Sequence, residues 1–554
     1  MFFSGHRGKD FFFLMIIIFI FSPSGWALEG NTSTSPVVIS VFPRQELRTI
    51  PREVYGTNIE WFNNGNGFWD VDEKKLDPVL VRMASEQHLS LIRFPGGTLS
   101  DYYHWRDGIG PRSLRPIRAH QTDPASSANT FGSPELLTLC RSLGSSPLIT
   151  VNVGTGSAGS AADWVDYMNN PDNTRRKADG FPAPLPVHYW EIGNEIYLNG
   201  TEAEKRITMT PERYAGTYLE FARRMRAADP SIKLIAQGVA GSYSIPFGPY
   251  ENWNSTVLQQ AADQIDLLAL HDAYAPVLTK FDDKVSAEDV YRAMWSFPLD
   301  IKEDLDRVGN LLRLYEKKRH IELAVTEWGP FFSLTDKKFI DHVKTLGSAV
   351  YVARVLQVFL AHPRVRLANY FKFTDDSIMG WVSYQEHPKI PYYAFKMYSA
   401  YFGSVLVRSK TDSPTFSSKK IGFVKSRNNV PEINVIASTN MEKNRLYVNI
   451  VSCSWDRTYP VELDVHDVVV GKTAVKRSIS GPTPFANNGP DLPSWWPAPY
   501  IEPAPRQDKP IVIENMPWKV GERLIIPPHS ITTIELTILT PPAKPSKLTI
   551  LSDN

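Results

Sequence analysis

Two glutamates stand in settings that could do chemistry together. Glu195 follows Gly-Asn in 189-YWEIGNEIY-197, and Glu327 precedes Trp in 324-AVTEWGPFF-332. Two carboxyl groups converging on one cleft are the minimal equipment for cleaving a glycosidic bond. One is held protonated to donate to the leaving oxygen; the other stays ionised to attack the anomeric carbon or to activate water. A single glutamate near a strand end is ordinarily a surface or salt-bridged residue, so the pair carries the inference. Glu191 and Glu322 are rivals, but both lie near or inside the beginnings of their strands and read as structural.

Convergence requires elements that bring these positions together. Between residues 51 and 402 short apolar runs alternate with helix-like stretches: 53–59, 89–94, 147–153, 187–193, 232–238, 265–271, 321–327 and 365–373. They are rich in branched and aromatic side chains, as buried parallel strands are. The segment 211-PERYAGTYLEFARRMRAA-228 opens on Pro and carries an apolar stripe at helical spacing. Eight such units predict a (β/α)8 TIM barrel, with a doubly wound open sheet as the competing α/β arrangement. In a barrel, strands four and seven face each other, and Glu195 and Glu327 end those two strands. The glycine-rich 154-GTGSAG-159 follows the third strand rather than the first, which disfavours a dinucleotide site. No HExxH or paired His-carboxylate cluster supports a metal, no cofactor is expected, and no GxSxG elbow marks a serine hydrolase.

Beyond residue 403, runs such as 432–439, 445–452, 461–466 and 531–539 are separated by turn-rich segments, which predicts an antiparallel β-sandwich over 403–541. Residues 28–50 contain 36-PVVISVF-42, a candidate strand for the same sandwich, and 542–554 read as a loose tail. The Pro- and Trp-rich 493-PSWWPAPY-500 is a candidate substrate wall. Lys plus Arg number 60 against 59 Asp plus Glu, so no long-range field marks nucleic acid or an anionic membrane as a partner. The N-terminus places His6, Arg7 and Lys9 before 11-FFFLMIIIFIF-21, with Gly25 and Ala27 after it. That is the layout of a signal peptide over 1–27, too short in its apolar part to span a bilayer, and it predicts a secreted or periplasmic protein. Cys140 and Cys453 are expected to be unpaired buried thiols rather than a disulfide. Asn31, Asn199 and Asn254 head sequons.

These motifs carry a resemblance. The segments 190-WEIGNE-195 and 325-VTEW-328 look like the acid/base and nucleophile signatures of the clan-A retaining glycosidases. More narrowly, the barrel resembles glycoside hydrolase family 51, the α-L-arabinofuranosidase family. The carrying segments are 55-YGTNIEW-61, 93-RFPGGTLSDYYHWRDGIGPRSLRP-116, 130-TFGSPELLTLCR-141 and 148-LITVNVGTGSAGSAADWVDYMNN-170, with the two glutamate motifs. The resemblance implies Glu195 as acid/base and Glu327 as nucleophile of a retaining double displacement on an oligo- or polysaccharide. It implies Asn194 on the hydroxyl beside the anomeric carbon, Glu60 on substrate hydroxyls, and Arg93 keeping Glu327 ionised; a structural ion pair is the other reading of Arg93. His271 would orient the nucleophile or a sugar hydroxyl, or else be a satisfied core histidine. Trp105 and Trp328 are candidate sugar platforms or packing residues. Two positions of the glycone pocket depart from the family pattern: Thr98 stands where Asn or Cys is usual, and Ala273 where Tyr is expected, with Tyr274 beside it. Three readings follow: an α-L-arabinofuranosidase on plant polysaccharides, an endo-β-1,4-glucanase or related hemicellulase, and a carbohydrate-binding protein on an inactive barrel. Homo-oligomerisation stays open.

Overall fold

The computed structural model describes residues 35–118, 128–198, 208–240, 251–271, 273–275, 285–330, 340–375, 379–488 and 515–539. The expected signal peptide, the sequons at Asn31 and Asn199, the Trp-rich loop and the tail lie outside these residues. The eight sequence runs become eight parallel strands: Gly56–Asn58, Leu91–Phe94, Ser146–Val151, Tyr189–Ile192, Lys233–Gln237, Leu267–Ala269, Glu322–Pro330 and Val365–Tyr370. Each pairs with the next, Glu322 sits opposite Leu267, and Asn369 opposite Gly56 closes the ring. The arrangement is a barrel, not an open sheet. A short extra strand, Ala273–Ala275, continues past the sixth and pairs with the far end of the seventh.

The barrel interior is built in layers, because alternate residues of a strand face inward. A lower layer is apolar, with Leu91, Leu148, Tyr189, Ile235, Leu267, Ala324 and Leu367 packed together. Two residues further along the strands the inward positions turn polar: Arg93, Thr150, Glu191, Gln237, Thr326 and Asn369, joined by Asn58 and His271. All are buried, so most of their donors and acceptors find partners within the protein; Asn369 Oδ1 is an exception. This polar floor underlies the C-terminal mouth of the barrel.

The second domain is one continuous nine-stranded sheet folded on itself. Its order is Met516–Lys519, Val470–Ile479, Ile531–Ile538, Arg445–Ser452, Ile433–Thr439, Val405–Thr411, Val37–Thr49, Tyr459–Val465 and Leu524–Ile526. The pairings are antiparallel except one: Val37–Val41 runs parallel to Val461–Val465. The N-terminal strand is therefore an interior strand of this sheet, with register shifts between Phe42 and Arg48. Its core packs Val37, Ile39 and Val41 with Ile433, Ile450, Tyr459 and Ile534. The domains are joined through buried polar contacts: Tyr398 donates to Asn449 Oδ1 at 2.6 Å and Gln357 Nε2 to the same atom at 3.0 Å. Cys140 and Cys453 are free and buried, and burial pushes both thiols well up. Asn254 is also buried, with its amide bonded to both the N–H (2.8 Å) and the carbonyl (2.7 Å) of Val239, which leaves no room for a glycan in the folded chain. No described helix is long and apolar enough to cross a membrane.

Candidate active site

Glu327 lies near the end of the seventh strand, where its inward neighbour by alternation is Thr326. A regular strand would turn Glu327 outward. The pairing with the eighth strand is irregular between Val325 and Trp328, which re-aims it into the mouth. There Glu327 Oε1 accepts from Arg93 Nη1 at 2.8 Å. The same guanidinium gives Nε to Glu191 Oε2 at 2.6 Å and Nη2 to Asn194 Oδ1 at 2.7 Å, and Nη1 also reaches Asn58 Oδ1 at 2.9 Å. Both readings of Arg93 hold at once: it is a buried ion pair, and that pair holds the cleft residues.

Glu195 reaches the mouth differently. The fourth strand stops at Ile192, and Gly193 takes φ +80°, where an added Cβ would meet Val153 at 2.7 Å. Glu195 itself adopts φ +47°, a left-handed conformation that costs a non-glycine residue about 1–2 kcal/mol. The surroundings hold it there. Gln237 Oε1 accepts its backbone N–H at 3.0 Å, while Gln237 Nε2 donates to Glu191 at 3.0 Å. Asp101 Oδ2 accepts the N–H of Asn194 at 3.3 Å, and burial pushes that carboxyl up to about 7.

His271 ties the two glutamates together. Its Nδ1 is 2.8 Å from Glu195 Oε1 and 3.7 Å from Glu327 Oε2. Its Nε2 is 3.0 Å from Thr326 Oγ1. Burial pulls the imidazole down, but the Glu327 and Glu195 carboxyls outweigh it and the net shift is upward. Glu195, His271 and Glu327 offer one donor atom each within 4.8 Å of one another. Each is already bonded inside the protein, and the Arg93 cation beside Glu327 opposes a dication there. The arrangement sets a titratable ring between two carboxyls that share one cleft, the pair of groups that glycosidic cleavage needs.

Asn194 has one end of its amide engaged. Arg93 can only donate, so Asn194 Oδ1 faces it and the amide Nδ2 points away. That Nδ2 is buried without a partner. Glu60 is buried beyond the first strand, ion-paired with Lys372, whose ammonium Glu60 and Asp375 keep protonated against burial. It is buttressed by a left-handed turn: Asn63, Asn64, Gly65 and Asn66 all have positive φ, and Asn66 Oδ1 accepts the Glu60 N–H at 2.6 Å. Asn and Gly tolerate that conformation better than other residues. The double glycine lets these groups approach: a Cβ on Gly96 would meet Glu60 Cγ at 2.4 Å, and one on Gly97 would meet Glu327 Oε1 at 2.8 Å. Thr98 follows, half-buried in the 3-10 turn Thr98–Tyr102.

A family model for the alpha-L-arabinofuranosidase 1 domain matches residues 84–276. An intracellular exo-alpha-L-arabinofuranosidase of Bacteroides ovatus is 26% identical over 90% of this chain and 95% of its own. Alpha-L-arabinofuranosidase C of Emericella nidulans is 31% identical over 58% of this chain and 66% of its own. The solved structure of a thermostable GH51 alpha-L-arabinofuranosidase from Thermotoga petrophila superposes with a TM-score of 0.72 at 25% identity, covering 90% of this chain and 99% of that one. The chain belongs to glycoside hydrolase family 51.

As a member of family 51 it is a retaining glycoside hydrolase acting on saccharides. Of the two readings offered for Trp105 and Trp328, the sugar platform is corrected and packing holds. Trp328 is fully buried, its ring enclosed by Phe359, Tyr370 and Phe395, because it faces the helices and not the barrel mouth. Trp105 is buried between Trp164, stacked at 5.9 Å, and the Arg106 guanidinium at 4.6 Å, with its indole N–H on Ser160 O. Neither ring offers a face to a sugar. The backbone of Tyr274 sits beside Gly329, and its side chain lies outside what is described. Sequence reasoning missed Gln237, Thr326, Asp101 and Lys372, and it read Glu191 as structural without its link to the two cleft glutamates. Glu191 is fully buried and accepts from Arg93, Thr150, Thr326 and Gln237. Burial pushes its carboxyl up, but Arg93 and the other donors outweigh it and the net shift is down.

Proposed function

We propose that this family 51 enzyme is an α-L-arabinofuranosidase acting on plant cell-wall polysaccharides by double displacement. Glu327 attacks the anomeric carbon while Glu195 donates its proton to the leaving oxygen, and a covalent glycosyl-enzyme forms. Glu195 then takes a proton from water, and the water oxygen displaces Glu327. The observation that carries the assignment of roles is the Arg93–Glu327 ion pair at 2.8 Å set against the Glu195–His271 contact at 2.8 Å. A fixed cation suits the carboxyl that must remain charged; a titratable partner suits the one that must exchange a proton. The unpartnered Asn194 Nδ2 supports the reading of Asn194 as the group that binds the hydroxyl next to the anomeric carbon. Similarity to the arabinofuranosidases of Bacteroides ovatus and Emericella nidulans supports the sugar.

The test is hydrolysis of p-nitrophenyl α-L-arabinofuranoside beside a mixed-linkage β-glucan, by wild type and Glu327→Ala. Release from the arabinoside, lost in the variant, is expected. Activity on the glucan alone would move the enzyme to endo action. We propose further that residues 1–27 are a cleaved leader, supported by the basic, apolar and small-residue order. The Bacteroides ovatus relative is named intracellular, so the point needs its own measurement. N-terminal sequencing of the mature chain is expected to begin near Leu28; an uncleaved chain confined to the cell would overturn it.

A further inference from the structure

The Glu195–His271 contact leaves open where its proton resides, and the atoms behind His271 bear on that. Thr326 Oγ1 lies 2.7 Å from Glu191 Oε1 and 3.0 Å from His271 Nε2. A hydroxyl has one proton to give. Glu191 is fully buried, holds the Arg93 guanidinium, and is only an acceptor when ionised. The Thr326 proton is therefore committed to Glu191, and the oxygen can only accept from His271. That requires the imidazole to carry its proton on Nε2. A neutral ring then turns an Nδ1 lone pair toward Glu195 Oε1, 2.8 Å away.

We propose that Thr326 and Glu191 are positioning residues that lock His271 in its Nε2–H tautomer and so keep the Glu195–His271 pair protonated to higher pH. This rests on the reading of Glu195 as acid/base. With the tautomer locked, loss of the shared proton sets the Nδ1 lone pair against the Glu195 carboxylate, which opposes the loss. A free imidazole would shift its proton to Nδ1 and stabilise that carboxylate instead. The lock acts in both half-reactions. It keeps the proton available while the anomeric C–O bond breaks and the bond to Glu327 forms. Once the proton has gone to the leaving oxygen, the same opposition drives Glu195 to take one from the attacking water. Among the described residues, the charged groups facing this pair are Glu327 from the seventh strand, Arg93 from the second and Glu191 from the fourth. Gln237 of the fifth strand is neutral.

The experiment compares pH profiles of kcat/KM for Thr326→Val and Thr326→Ser on phenyl α-L-arabinofuranoside, whose poor leaving group needs the acid. Valine keeps the shape and removes the hydroxyl; it is expected to move the alkaline limb down by about one pH unit, the worth of one hydrogen bond to a charged group. Serine is expected to keep the wild-type limb. An unmoved limb in Thr326→Val, or an equal shift in Thr326→Ser, would overturn the proposal. Glu195→Ala, measured alongside, separates the two failures. If it hydrolyses the phenyl glycoside as wild type does, the reading of Glu195 is wrong. If it is impaired while Thr326→Val keeps its limb, only the lock is wrong. Neutron diffraction from wild-type crystals needs neither a folded variant nor a substrate. It is expected to show deuterium on His271 Nε2 and the Thr326 deuteron directed at Glu191, and deuterium on Nδ1 with none on Nε2 would sink the idea.

Discussion

Glu327 and Glu195 occupy facing strand ends, yet the protein builds them in opposite ways. Glu327 sits within a paired strand and meets a guanidinium that is always charged. Glu195 sits beyond its strand, in a left-handed backbone conformation, and meets an imidazole that can gain or lose a proton. A carboxyl that keeps one charge state can be held by a permanent cation. A carboxyl that alternates needs a partner able to follow it. Both arrangements depend on Glu191, through Arg93 on one side and through Gln237 and Thr326 on the other.

Substitutions should separate the two carboxyls in order of size. Glu327→Ala removes the attacking group and should lower kcat at least about 10⁴-fold on every leaving group; a variant retaining a tenth of wild-type turnover would contradict its role. Glu195→Ala should lose about 10²–10⁴-fold on poor leaving groups. It should lose far less in the first step with a dinitrophenyl glycoside, and azide should speed its second step by supplying a nucleophile that needs no base. Equal losses on both substrates would erase the distinction between the glutamates. Arg93→Met should impair both sides at once, because it frees Glu327 and Asn194 and strands Glu191. We expect about 10²-fold lower kcat/KM with about 3–5 kcal/mol lower unfolding free energy by denaturant titration. Gln237→Leu should act on the Glu195 side alone, costing about 1–3 kcal/mol in released hydrogen bonds. Its kcat loss should concentrate on poor leaving groups, and a loss equal on both substrates would count against it.

Much of this was legible in the chain. The eight barrel strands stood out as short branched runs, and Glu195 and Glu327 at the ends of the fourth and seventh. The polar floor was not read, although its signal was present: Arg93, Thr150, Glu191, Gln237, Thr326 and Asn369 each stand two residues after an apolar inward position. Arg93 and Glu191 drew notice singly; the other four are unremarkable polar residues within a strand. Their meaning comes from ring closure, which brings together positions distant in sequence. For Trp105 and Trp328 the packing reading holds over the sugar platform for a related reason: residue type shows that a ring is large and apolar, not which way it faces. Glu327 was found by its motif, but alternation alone would have pointed it away from the cleft. The strand irregularity that turns it inward leaves no mark in composition.

The N-terminal strand has a consequence for how the chain is made. Val37–Thr49 precedes the whole barrel in the chain, yet it pairs with Val405–Thr411 and Tyr459–Val465, which follow the barrel. Throughout synthesis of the barrel this strand carries Val37, Ile39 and Val41 with neither edge partnered, an aggregation hazard of the usual kind for a bare strand. The barrel can close beforehand, since its strands follow one another in order. The sandwich cannot assemble around this strand until both partners beyond the barrel have been made, so Val37–Thr49 must be sheltered until then.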